Sequence, residues 1–463
     1  MLFILFCVGF FYRAYPHLVL VPRWIIEEEY NFVIVKDLIR FGETLYPNSY
    51  PILEHLLIYN IYKITNLSPI ILSQYANPFL GALTIVPLYF LLKRYLTTRQ
   101  TLCGCLFWTL SEAAFYRASS FGSTEVLGFL LSLSVLTLYV YKRYVWVLIL
   151  FPIALYSHLL PSIFIFGVMA LDLFMKSSKK QKVVVIFSGV SILLFLASPL
   201  NPHGRILHTL NFSTIVLNFD VMNIFLYSLP ELISGVFIFG GFVCLVLVTF
   251  AVFTRKQMNN NVMNVFLFLA AGLFFWSWID YSPGVFAPPR LTFYFLVPLI
   301  YYSVKFVTES VATHAQFIVC VIGLIMVGSA VVGTPTMLFI DDCVTKEEYE
   351  FLDKLPVTVE TVDEWWTDYP LRVSLESRYE GVQVEIFNEL STRDYTNPFV
   401  TMTESQFKYV LITPRMERSS LFFVYPKRTV QIRKPIADIW ANSSLWKLLV
   451  EENGIKLYKR VGT

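Results

Sequence analysis

The sequence predicts a polytopic α-helical membrane protein of about eleven transmembrane helices with a small extracytoplasmic α/β domain at the C-terminal end. Three observations predict it. The 463 residues are 56% hydrophobic and 15% charged, with a mean hydropathy of +0.60, whereas soluble domains carry about 25% charged residues. Apolar runs of near-membrane length recur from the first residue to 337. Residues 1–340 hold 33 charged side chains and 341–463 hold 36, so charge density rises nearly threefold after the last run. The chain therefore reads as a membrane domain over 1–340, including a long loop at 13–68, and a water-exposed domain over 341–463.

A hydrocarbon core of about 30 Å needs about 20 apolar helical residues. The runs that meet or approach this length are 1–12, 69–92, 101–115, 123–142, 144–158, 159–175, 183–199, 231–254, 262–279, 291–306 and 315–337. The first is short, and no small-residue cleavage site follows it, so it reads as an anchor rather than a signal peptide.

Loop charge sets the expected orientation. With the N-terminus in the cytoplasm, the inner loops carry Lys93, Arg94, Arg99, Lys142, Arg143, Lys176, Lys179, Lys180, Lys182, Arg255, Lys256 and Lys305. The short outer loops carry Arg117, Arg205 and Arg290. This bias places the N-terminus in the cytoplasm, and it places 13–68, the other outer loops and the C-terminal domain on the extracytoplasmic face of a multi-pass cell-membrane protein.

Composition excludes several classes. Five of the six cysteines lie in apolar runs, which argues against a disulfide framework, and Cys103-x-Cys105 reads as small-residue helix packing. No Gly-rich phosphate loop, zinc spacing or basic-aromatic patch is present, so nucleic acid is not an expected partner.

The loop at 13–68 has structure of its own. The stretch EEYNFVIVKDLIRFGE places acids in a first turn and Gly42 at the end, predicting a helix over about Glu27–Phe41. YPILEHLLIYNIYKI, with Glu54 and His55 embedded in it, predicts an interfacial helix. In the tail, KEEYEFLDKLP predicts a short helix, YVLITP and LFFVYPKRTVQIRK predict strands, and WKLLVEENGIKLYKRV predicts a hairpin turning at Asn453-Gly454.

FFYRAYP, then Glu27-Glu28-Glu29-Tyr30, Gly42 and TLYPNSYPILEHLL together resemble the first outer loop of the membrane-embedded type C (GT-C) glycosyltransferases. YRASSFGSTEVLGF, with Arg117, Gly122 and Glu125, is similar to a second outer-loop motif of the oligosaccharyltransferase catalytic subunit, with Ser123 and Thr124 where acids are usual. PPRLTFYFLVPL, with Arg290, is similar to archaeal members of the superfamily, oligosaccharyltransferase- and protein-mannosyltransferase-like, and ALYSHLLPS, with His158 between two spans, is a fourth match. In the tail, Trp365 and Trp366 match the Trp-Trp-Asp-Tyr signature of oligosaccharyltransferases, with Thr367 inserted before Asp368 and Tyr369.

The resemblance implies an inverting glycosyltransferase fed by a polyprenyl- or dolichyl-phosphate sugar, with a protein or glycan acceptor, working in contact with membrane lipid on the outer face. It puts Glu27 at the position of the catalytic acid, with Glu28 the alternative base one residue on. It also implies that Glu125 lines the site and that Arg117 and Arg290 contact the donor phosphate; Glu54, His55 and His158 are further candidates for the substrate cavity. If a divalent metal such as Mg or Mn is bound, Glu27 and Glu125 are its expected ligands. Transfer from a lipid phosphate needs a base for the acceptor and a cation for the departing phosphate, and these residue types supply both. Two other readings remain open: an oligosaccharyltransferase-like transfer of a whole glycan to Asn, and a non-catalytic scaffold or a transporter of lipid or polymer.

Plain structural roles compete with each assignment. Acids at a helix start complement its dipole, Glu125 behind Ser123-Thr124 suits a cap, and arginines at span ends reach for headgroups.

Overall fold

The computed structural model describes residues 1–19, 24–25, 35, 38–39, 53–67, 69–110, 125–175, 178–197, 261–279, 294, 296–305, 343–344, 346–353, 355, 364–367, 383–386, 408–414 and 446–461. The chain divides into two compact units. One comprises Met1–Tyr15 with Thr44–Thr334, and the other Pro16–Glu43 with Pro335–Thr463.

The first unit is helical. Its elements are α1 (Leu2–Val19, which runs on into residues of the second unit), α2 (Leu53–Thr65), α3 (Pro69–Leu83), α4 (Ile85–Lys93), α5 (Thr98–Leu110), α6 (Glu125–Val140), α7 (Tyr144–Ser157), α8 (Leu159–Met175), α9 (Lys179–Ala197) and α10 (Asn261–Ile279), with residues 296–305 also helical. The described residues of the expected spans are helical nearly throughout; 101–115, 123–142, 183–199 and 291–306 are described only in part, and 231–254 and 315–337 lie outside the described residues. Among the described residues one helix, Tyr75–Lys93, is long and apolar enough to cross a membrane, and several shorter apolar helices accompany it. It joins α3 to α4 because the helical ladder continues through Thr84, whose N–H bonds to the Leu80 carbonyl at 3.1 Å and whose carbonyl accepts the Leu88 N–H at 3.2 Å.

The first span does not stop at residue 12 as the apolar run suggests. Helix α1 continues to Val19, because the charge that ends the apolar run, Arg13, is buried and bonded. Its Nη1 donates to the carbonyls of Gly9 (3.1 Å) and Thr109 (3.2 Å), and Nη2 donates to that of Trp108 (3.3 Å). The last carbonyls of a helix have no partner within it and carry partial negative charge. A guanidinium inserted between α1 and the end of α5 therefore satisfies two of the terminal carbonyls of α5, while its third bond returns to the mid-helix Gly9 carbonyl of α1.

One large core holds the bundle. Leu88 and Leu92 of α4, Trp108 of α5, Phe129 and Leu133 of α6, Phe151 of α7, Phe164 of α8, Phe266 of α10, Tyr294 and Ile300 are all buried in it. Between helices in lipid, cohesion comes from close packing, which small residues permit. Gly104 is such a residue: a Cβ there would stand 2.7 Å from the Leu92 Cδ1 and 3.2 Å from the Ile300 Cγ2. Cys105 beside it is buried against Leu5 and Ile85, so the Cys-x-Cys stretch is packing, as expected.

Helix α6 ends in a Schellman motif, with the Arg143 N–H on the Leu138 carbonyl and the Lys142 N–H on the Tyr139 carbonyl, both at 2.9 Å. Lys142 sits at φ 59°, where glycine is the usual residue. Nearby, the Tyr139 hydroxyl donates to Asp172 Oδ2 of α8 (3.1 Å) and accepts from Gln181 Nε2 of α9 (3.1 Å). Gln181 and Ser178 cap α9 reciprocally, so one polar chain ties three helices at this end.

In the second unit, β1 (Trp24–Ile25) pairs antiparallel with β2 (Cys343–Val344), Ile25 opposite Cys343. Helix α11 (Lys346–Asp353) follows, with Glu347 and Glu348 in its first turn and Phe351 and Leu352 buried. Strands β3 (Glu364–Thr367), β4 (Gln383–Ile386), β5 (Tyr409–Ile412), β6 (Trp446–Glu452) and β7 (Ile455–Arg460) form a sheet in the order β4-β3-β5-β7-β6. The first three are parallel, and β5–β7 and β6–β7 are antiparallel. The expected hairpin turns on Asn453 (φ 54°) and Gly454 (φ 78°), the left-handed pair of a type I′ turn. Trp365 is fully buried, its ring 4.9 Å from that of Tyr409, and so belongs to the sheet's core. The strands expected in LFFVYPKRTVQIRK lie outside the described residues. Of the helix expected over Glu27–Phe41, Val35, Leu38 and Ile39 are described and helical, with Val35 and Leu38 buried.

Candidate active site

Helix α6 opens on Glu125, and everything after it for a turn and more is buried: Val126, Leu127, Gly128, Phe129 and Leu130. Glu125 as a whole is 3% exposed. A carboxyl group in such surroundings needs a donor, and the Tyr294 hydroxyl supplies one, donating to Oε1 at 3.0 Å. Tyr294 is held in turn by rings: its centroid lies 5.4 Å from that of Phe129 and 4.8 Å from that of Phe164. Trp108 stacks on Phe129 at 5.8 Å and donates from Nε1 to the Thr84 hydroxyl at 2.8 Å. Arg13 caps the same end of α5, so the aromatic support of the site is itself anchored.

One turn along from Glu125, Gly128 makes room for His158. A Cβ at 128 would collide with the His158 Cβ and lie 3.3 Å from its Cα. His158 is the half-buried extended residue between α7 and α8; its N–H bonds to the Ala154 carbonyl at 3.0 Å and its carbonyl accepts the Ser162 hydroxyl at 3.0 Å.

Helix α2 brings a second carboxylate to this end. Leu53 packs with Leu80 of α3 and with Val126, Leu127 and Leu130 of α6, and the next two residues, Glu54 and His55, are 1% and 0% exposed. The apolar residues Leu57, Ile61 and Ile64 lie on the exposed face of α2, the pattern of a helix resting at an interface. The helix expected here is present, and it turns Glu54 and His55 inward.

Of the residues singled out from sequence, the structure thus gathers Glu54, His55, Glu125 and His158 at one end of the helical unit. Glu27, Glu28, Arg117 and Arg290 lie outside the described residues. Tyr294 is a partner the sequence reading missed; it stands four positions after Arg290 in the quoted PPRLTFYF stretch. Arg13 was missed also, although it lies within FFYRAYP. Among the described residues no three His, Cys, Asp or Glu side chains are placed to hold a metal ion.

No family model and no curated protein matches the sequence. Solved structures do match the fold. An oligosaccharyltransferase from Archaeoglobus fulgidus, solved with zinc and sulfate, superposes with a TM-score of 0.58 at 12% identity over 99% of this chain and 73% of its own. ArnT from Cupriavidus metallidurans bound to undecaprenyl phosphate gives 0.57 at 10% identity over 99% and 97%. The arabinofuranosyltransferase AftD from mycobacteria gives 0.56 at 11% identity over 100% of this chain and 40% of that one.

Proposed function

Starting from a fold shared along its whole length with membrane-embedded GT-C glycosyltransferases, we propose that this chain is an inverting glycosyltransferase that takes a sugar from a polyprenyl- or dolichyl-phosphate carrier and delivers it to a protein or glycan acceptor on the outer membrane face. The observation that carries the reading is the buried end of the bundle where Glu125, braced by Tyr294, lies with Glu54, His55 and His158. A carboxylate kept out of water and held by a phenol is suited to hydrogen-bonding a sugar. The ArnT match, a structure that holds undecaprenyl phosphate, supports a lipid-phosphate donor.

In this reading Glu27 takes the proton of the acceptor hydroxyl, or Glu28 does so in its place. The acceptor oxygen forms a bond to the anomeric carbon from the side opposite the carrier. The bond from that carbon to the phosphate oxygen breaks, and the lipid phosphate leaves with the electron pair, its charge met by Arg117 and Arg290. Inversion at the anomeric carbon follows from the single in-line displacement. The N-terminus is then cytoplasmic and the C-terminal unit extracytoplasmic, as the loop charges suggest.

The test uses purified protein in lipid with polyprenyl-phosphate sugars, following release of the lipid phosphate by mass spectrometry with and without Mg or Mn. Metal-independent release that is lost in a Glu27→Gln, Glu28→Gln double variant supports the assignment; full activity in that variant refutes the assigned base. The match to the archaeal enzyme favours one second reading, transfer of a diphosphate-linked glycan to Asn. Metal-dependent release from a polyprenyl-diphosphate glycan would favour it.

A further inference from the structure

We infer that Asn77 and Ser157 are sugar-contacting residues of this same site, reading the ring hydroxyls of the transferred sugar or of a glycan acceptor. The inference rests on the glycosyltransferase reading and adds to it two side chains that neither the sequence motifs nor the resemblance singled out.

Asn77 lies in α3 and is 0% exposed, yet among the described residues neither its Oδ1 nor its Nδ2 has a hydrogen-bond partner. Ser157, at the end of α7, is 1% exposed and its hydroxyl is in the same condition. Buried polar groups in folded proteins are almost always bonded, and an orphaned one calls for an explanation. Leucine at 77 or alanine at 157 would occupy nearly the same volume without that penalty, so a purely structural account leaves the polar atoms unexplained.

Their places in the fold supply the explanation. Asn77 stands one turn before Leu80 on one face of α3, and Leu80 shares a buried cluster with Val126, Leu127 and Leu130, the residues that follow Glu125. Leu53, immediately before Glu54, packs on that cluster too. Ser157 immediately precedes His158, which abuts Gly128 one turn from Glu125, and α7 packs against α2 as well as against α6. Both orphans therefore belong to the end of the bundle that carries Glu54, His55, Glu125 and His158. Next to Asn77, Pro78 lies inside the helix and has no N–H to give the Gln74 carbonyl, so the ladder opens at this point.

The chemistry selects the ligand class. Asn77 and Ser157 are neutral and each can both donate and accept, while Glu54 and Glu125 supply acceptors and disfavour a phosphate. Such a set suits the vicinal hydroxyls of a sugar ring better than the phosphate of the carrier.

The test compares full-length wild type with Asn77→Leu and Asn77→Ala in lipid, using a polyprenyl-phosphate hexose that the wild type turns over and its singly deoxygenated analogues. Both variants should lower kcat/KM for the parent sugar about tenfold to a hundredfold and lose discrimination against one deoxy analogue. The thermal midpoint of the ligand-free variants should hold or rise, because an unsatisfied group has been removed. A raised donor KM places the contact on the transferred sugar; a raised acceptor KM with donor KM intact places it on the acceptor. Variants that match wild type on every sugar, or that both lower the ligand-free midpoint, overturn the inference and leave the proposed function standing. A wild type that turns over no lipid-phosphate sugar overturns the proposed function, and this inference with it.

Discussion

The hydroxyl of Tyr294 donates to Oε1 of Glu125 at 3.0 Å across 169 residues of sequence. It ties the start of α6 to Tyr294 and holds a carboxylate where water does not reach. Tyr294→Phe removes the donor and keeps the ring, so the variant should lose about 1–3 kcal/mol of stability and much of its transferase turnover. Glu125→Gln can still accept the bond through its amide oxygen; it should stay near wild type in thermal unfolding while losing turnover. Equal turnover in wild type and Glu125→Gln would remove Glu125 from the site.

Gly128→Ala places a methyl group on top of His158. Overpacking of this kind costs about 1–3 kcal/mol, and the α7–α8 junction must move to relieve it. The expected result is a lower thermal midpoint together with reduced turnover. The same substitution at Gly272, which has open space where a Cβ would stand, should change neither.

Arg13→Lys retains the charge and loses the planar fork that reaches three carbonyls. Losing charged hydrogen bonds of about 1.5–3 kcal/mol each should lower the unfolding midpoint sharply, and Arg13→Ala more so. A midpoint within experimental error of wild type for both would show that the end of α5 is held by other means.

Lys142→Gly should stabilise the protein. The left-handed conformation costs a non-glycine residue about 1 kcal/mol, and Lys142 adopts it at φ 59° inside a closed Schellman motif. Thermal unfolding should shift upward, with turnover unchanged.

Tyr139→Phe acts at the Asp172 end of the bundle, apart from the proposed site. Leaving the Asp172 carboxyl without this donor should cost about 1–3 kcal/mol with kcat intact. A selective loss of kcat would mean that the polar chain through Gln181 has a part in the reaction.

Much of this architecture was legible because it depends on local pattern. Apolar runs marked the spans, the Asn453-Gly454 pair marked a hairpin whose φ values only such residues adopt readily, and small residues at 103–105 marked close packing. The end of α1 was misread for a physical reason. A charge after an apolar run signals departure from the membrane, and nothing near Arg13 in sequence reveals that the carbonyls of Trp108 and Thr109 await it. The site was half legible on the same grounds. Glu125 and His158 lie at span ends, where polar residues stand out, and Glu54-His55 interrupts an apolar helix. Tyr294 resembles any interfacial tyrosine, and Asn77 a polar residue beside a helix proline, until tertiary contacts give each its neighbours.

The pairing of β1 with β2 bears on the order in which the protein can be built. Trp24 and Ile25 are synthesised ahead of the helices from Leu53 onward, and their partners Val344 and Cys343 come only after those helices. The strand just before Glu27 and Glu28 cannot form its ladder until then. Loop closure over such a separation is slow and adds to the barrier. During synthesis the acidic segment is therefore without its β-strand partner, and a chain interrupted before residue 343 would possess the helices and the acids while lacking the strand that pairs ahead of them.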